Sequence, residues 1–132
     1  AGLTFTPDLY KCGVNVVGVT DVGLLFTSMP TTWEPMKDVM KIQIGDPEDT
    51  KLMKSMSPID HVENIKAPLF IIHGLKDIRV VIEHANLLKD RLDDLDKPYE
   101  WLVKKNEGHG FRKVENRIEM YEKLEVFLEK NL

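Results

Sequence analysis

A chain of 132 residues, 42% apolar and 30% charged, has the balance of one folded globular domain and excludes an intrinsically disordered chain. A net charge of −4 with no Lys/Arg stripe argues against a nucleic-acid partner. No apolar run reaches the roughly 18 residues that a membrane-spanning helix needs, so no membrane partner is expected.

The chain opens on Ala1-Gly2-Leu3, without an initiator Met or a signal peptide. That start is expected of a piece cut from a longer protein, with a processed mature terminus as the alternative. Residues 1–12 read as a helix tail and a loop, with turn chemistry at Thr6-Pro7-Asp8. Residues 13–20 are Val-rich and bounded by Gly and Asp, which predicts a short strand covered on both faces. A looser stretch containing Ser28, Pro30 and Thr31 follows. Thr32 then suits the cap of a helix starting at Trp33, with Glu34 and Pro35 in its first turn and Gly45-Asp46-Pro47 at its end. Residues 48–56 read as another short helix. Ser57-Pro58 opens a further helical turn, with Ser57 as its cap.

Periodicity is clearer after Ala67. The unbroken apolar run Pro68 to Ile72, closed by His73-Gly74, predicts a central parallel strand. Ile82, Ala85, Leu88, Leu92 and Leu95 recur at helical spacing, and Asp96-Lys97-Pro98 breaks that helix. Tyr99 to Val103 reads as the next strand and Asn106 to Phe111 as a Gly-bearing loop. A last helix carries Ile118, Tyr121, Leu124, Phe127, Leu128 and Leu132 on one face. Strand and helix alternate three times. That order predicts an α/β fold, three parallel strands with flanking helices, as a single domain over residues 1–132. Three strands make a small sheet. An open edge at residues 13–20 is expected either to pair with strands absent from this chain or to bring two copies together as a homo-oligomer.

Ligands of an open parallel sheet bind beyond the carboxyl ends of its strands. Asp21, Asp77 and His109 each follow a predicted strand. Alone, each reads as an ordinary loop residue. Together they converge on one cleft. Asp77 precedes His109 by one helix–strand unit, so their loops are expected to be neighbours. A carboxylate bonded to one imidazole nitrogen leaves the other free to take a proton from a nucleophile. His73, Asp77 and His109 lack metal-ligand spacing, and neither metal nor cofactor is expected. His61 and His84 read as surface residues of helices. Trp33, Met36 and Met40 read as core, with a substrate-pocket wall as the alternative.

The ordered set Ser57-Pro58-Ile59, Ile65-Lys66-Ala67-Pro68-Leu69, His73-Gly74, Asp77-Ile78-Arg79-Val80 and Glu107-Gly108-His109-Gly110-Phe111 resembles the C-terminal end of the prolyl oligopeptidase family. The resemblance covers residues 57–132. Over residues 1–56, Thr6-Pro7-Asp8 and the Val-rich strand resemble the stretch just after that family's nucleophile turn. It implies part of an α/β-hydrolase domain with a Ser, Asp, His triad in that chain order, in which Asp77 is the acid and His109 the base. Arg79 would anchor the acid loop by ion pairing. The implied substrates are peptides or small esters. Dienelactone-hydrolase-like enzymes, which use a Cys nucleophile, share parts of the pattern. The family's Gly-x-Ser-x-Gly turn is absent here. Ser28, Ser55 and Ser57 lack such flanks, and Cys12 precedes a strand. The isolated chain is therefore expected to be inactive. A non-catalytic binding or self-association module is the rival reading. The single cysteine suits a reducing compartment, and a cytoplasmic location is expected.

Overall fold

The computed structural model describes all 132 residues. Its centre is the strand Leu69–Gly74, every residue of which is buried. Two strands pair with it in parallel, giving the order β1 (Gly13–Val16), β2 (Leu69–Gly74), β3 (Tyr99–Lys104). The period of two in β2 sorts its side chains onto two cores. Leu69 and Ile71 join Val62, Ile65, Ala85, Leu88 and Leu92 on one face. Phe70 and Ile72 join Leu102 and Phe127 on the other. A strand buried on both faces needs no polar alternation, which is why its sequence is an unbroken apolar run.

Six α-helices surround the sheet: α1 (Gly2–Phe5), α2 (Val22–Thr27), α3 (Lys37–Ile44), α4 (Thr50–Met56), α5 (Glu83–Asp94) and α6 (Val114–Asn131). Helix α5 covers the first core with the stripe its spacing predicts, from Ile82 through Leu95. Helix α6 covers the second, but on a shifted face. Met120, Leu124, Phe127 and Leu128 pack inward, while Ile118, Tyr121 and Leu132 are more than half exposed.

The first 56 residues depart most from expectation. Strand β1 ends at Val16 rather than residue 20, because Val17 adopts φ 46°. That left-handed conformation costs a β-branched residue about 1–3 kcal/mol. As a sheet edge, β1 is not covered on both faces, and Val14 and Val16 stay partly exposed. The stretch after it contains α2, capped by Asp21, whose carboxylate accepts from the Leu24 N–H at 2.9 Å. Thr32 caps nothing. A 3-10 segment over Thr31–Met36 leads into α3, and Gly45, at φ 125°, ends it. Met36 is exposed and Trp33 only half-buried, so neither belongs to the core. A later 3-10 segment, Pro58–Asn64, kinks at His61 and returns the chain to β2. Ser57 does not cap it. The Ser57 hydroxyl donates to the Met53 carbonyl and accepts from the Val22 N–H, joining α4 to α2.

Candidate active site

Asp77 lies in the turn that leaves β2, at the carboxyl edge of the sheet. Its side chain is fully buried. Oδ1 accepts from the backbone N–H groups of Arg79 and Val80, at 2.9 and 3.0 Å, so the carboxylate folds its own turn. Oδ2 lies 2.8 Å from Nδ1 of His109. Arg79 holds this loop through its backbone N–H and forms no ion pair, contrary to the role expected for it. His73 supports the turn from beneath. Its Nε2, 2.8 Å from the Val80 carbonyl, carries the proton, because a carbonyl only accepts. The same nitrogen is 3.7 Å from Asp77 Oδ2.

His109 sits in the loop between β3 and α6, its side chain 35% exposed. A hydrogen bond to a buried carboxylate places the proton of a neutral ring on Nδ1. No hydrogen bond of the fold uses Nε2, whose lone pair is therefore available to a proton donor. Three backbone features press the two loops together. Lys76 N–H donates to the Glu107 carbonyl at 2.8 Å, and Leu75 N–H to the Lys104 carbonyl at 3.0 Å. Gly74 passes so close that a Cβ there would lie 2.2 Å from the Gly108 carbonyl oxygen. Only glycine fits that crossing.

Glu107 fixes the other side of the His109 loop. It is 4% exposed. Its carboxylate accepts from the N–H groups of Arg112 and Lys113 and from Asn116 Nδ2. The Arg112 N–H first, and then the Asn116 amide, hold the Glu107 carboxyl below its ordinary titration range.

These loops belong to a family fold. The sequence profile of the prolyl oligopeptidase family matches residues 1–132. This chain belongs to the prolyl oligopeptidase family. A Caenorhabditis elegans relative, dipeptidyl peptidase family member 6, is 33% identical over 134 aligned residues, covering 98% of this chain and 18% of its own length. Dipeptidyl aminopeptidase BIII of Pseudoxanthomonas mexicana is 32% identical over 118 residues, 87% of this chain and 17% of the relative. The solved Pyrococcus horikoshii acylaminoacyl peptidase superposes with a TM-score of 0.86 at 27% identity, over 99% of this chain and 21% of that one. The chain thus spans about a fifth of the length of these prolyl oligopeptidase relatives, and its fold is part of an α/β-hydrolase fold.

Of the three strand-end residues picked out in this family member's sequence, the structure joins Asp77 to His109 and leaves Asp21 apart. Asp21 caps α2, and its backbone N–H points at Nδ1 of His84, 3.4 Å away. His84 is not a surface residue. It is wholly buried, and Thr20 N–H also approaches its Nδ1 at 3.4 Å. Nε2 of His61 is likewise buried and without a partner. The roles of Glu107 and His73 were missed. Glu107 stood in plain view two residues before His109, but its partners lie up to nine residues further on, inside the next helix. A cavity of about 450 Å³ lies elsewhere, along β1 beside Leu3, Tyr10, Val14 and Leu69, and does not include Asp77 or His109.

Proposed function

We propose that residues 1–132 form the C-terminal portion of the catalytic domain of a serine hydrolase, to which they supply the triad acid Asp77 and base His109. The supporting observation is the 2.8 Å contact from His109 Nδ1 to a fully buried carboxylate, with Nε2 left without a partner. The substrate is an acyl compound, a peptide or small ester. A serine hydroxyl from outside these residues gives its proton to His109 Nε2 as it attacks the substrate carbonyl. The imidazolium that forms is stabilised by Asp77 and then protonates the leaving group. Water deacylates the enzyme by the same route. Two backbone N–H groups, besides the ring, hold the Asp77 carboxylate in place. A single cysteine suits a reducing compartment, and we place the enzyme in the cytoplasm. No helix is long and apolar enough to cross a membrane.

The test is His109→Ala in the longer enzyme that carries this chain, assayed on an activated ester and on a peptide anilide. Turnover should fall on the order of 10⁴-fold or more. Unchanged turnover rejects the triad. A second reading, self-association through the free edge of β1, is favoured by the partly exposed Val14 and Val16. Light scattering that finds only monomer rejects it.

A further inference from the structure

We propose that Glu107 is a positioning residue, whose carboxylate holds the His109 loop so that the imidazole meets Asp77. The inference rests on the triad reading above and deepens it.

Beyond the backbone contacts of Gly74, Leu75 and Lys76, little fixes the loop around His109. Gly108 and Gly110 flank His109, and Gly110 adopts φ 92°. Two glycines around one side chain leave many backbone states open, and ordering them costs entropy. His109 is itself partly exposed and contributes little packing. Glu107 supplies the missing constraint in two directions. On its side-chain face, Oε2 accepts from the Arg112 N–H at 3.0 Å, and Oε1 accepts from the Lys113 N–H at 3.0 Å and from Asn116 Nδ2 at 2.7 Å. The segment from 107 to 113 is thereby closed into a ring with His109 within it. On its backbone face, the carbonyl accepts from the Lys76 N–H, one residue before Asp77. One residue therefore ties the base loop both to the start of α6 and to the acid loop. Asn116 is itself steadied by a bond to Asn106 Oδ1 at 3.0 Å.

The site is chemically selective for a carboxylate. Three N–H donors converge on two oxygens that only accept. An amide presents one oxygen and one NH₂ group, so Glu107→Gln sets a donor against a donor on one side. The shape is kept while the ring opens.

The experiment uses Glu107→Gln in the longer enzyme, with Asn116→Ala as a milder variant should the first fail to fold. Because Glu107 does not reach the substrate, kcat should fall about tenfold to a hundredfold while KM stays within about twofold. In this chain labelled with ¹⁵N-histidine, the hydrogen-bonded Nδ1–H signal of His109 should broaden or vanish in the variant while other resonances persist. A control of comparable thermal destabilisation, Leu92→Ala in the far core, should keep both kcat and that signal. Wild-type kcat in a folded variant overturns the inference. So does a loss of kcat that the Leu92 control reproduces, or an unchanged Nδ1–H signal. Full turnover in His109→Ala would instead sink the triad reading. A dead His109→Ala beside an unaffected Glu107→Gln sinks only the role of Glu107.

Discussion

Asp77 and His84 are both buried polar residues near the carboxyl edge, and they solve burial differently. Asp77 meets two backbone donors and an imidazole N–H, so its charge is compensated. His84 meets only weakly placed N–H groups at Nδ1, and its buried Nε2 has no partner. Burial pushes its pKa down, the nearby His73 adds to that, and the carboxylates of Asp21, Glu83 and Asp77 oppose it without prevailing. The folded chain therefore resists protonation at His84, whereas the unfolded chain takes up the proton near the ordinary value of about 6.5. The stability that depends on a neutral His84 is present above that pH and is lost as pH falls below it toward the depressed folded value. His84→Gln, which cannot titrate, should show a smaller fall in urea midpoint between neutral pH and mildly acid pH than the parent. Equal falls would refute this. The sequence offered no access to this residue. A histidine on an amphipathic helix reads as exposed until the loop after β1, 64 residues earlier, folds over it. Asp77 and His109 were legible because position after a strand is itself a spatial statement.

Helices and strands were legible where one element makes its own pattern. Strand β2 and helix α5 match expectation because a doubly buried strand and a half-buried helix write different periods into the sequence. Strand β1 ran short because nothing local announces the left-handed Val17, and α2 was missed because six residues are too few to show a period. The inner face of α6 was placed only in part, for a related reason. Its apolar residues outnumber the inward positions, so the expected stripe held the inward Leu124, Phe127 and Leu128 together with the outward Ile118, Tyr121 and Leu132, and left out Met120. That register is testable. Phe127 is 1% exposed and its ring lies 5.5 Å from that of Phe70. Phe127→Ala should cost about 3–5 kcal/mol of unfolding free energy, from lost transfer energy and the cavity left behind. Ile118→Ala, on the outer face, should change it by no more than about 0.5 kcal/mol. Urea titration of both variants decides the register, and similar losses would put Ile118 back on the buried face beside Phe127.

For the molecule as a whole, a three-stranded sheet carries the joined Asp77 and His109 at its carboxyl edge. Asp77 and His109 are joined, yet each serine hydroxyl of the chain is committed elsewhere. Ser28 Oγ donates to the Leu24 carbonyl at 2.6 Å, Ser55 Oγ to Leu52 at 2.7 Å, and Ser57 Oγ to Met53 at 2.7 Å. Ser57 is also 1% exposed. None sits on a strand-to-helix turn, where a nucleophile is presented with backbone N–H groups to stabilise the oxyanion. On the triad reading His109 has no free serine hydroxyl within these residues to activate, so a fluorophosphonate probe should leave the 132-residue chain unlabelled and an activated ester should not turn over. The longer enzyme carrying the same residues should label once per active site, and His109→Ala should abolish that labelling. Stoichiometric labelling of the short chain would require one of these three hydroxyls to leave its carbonyl partner, and would place the nucleophile within residues 1–132. Mapping the labelled peptide by mass spectrometry would name it.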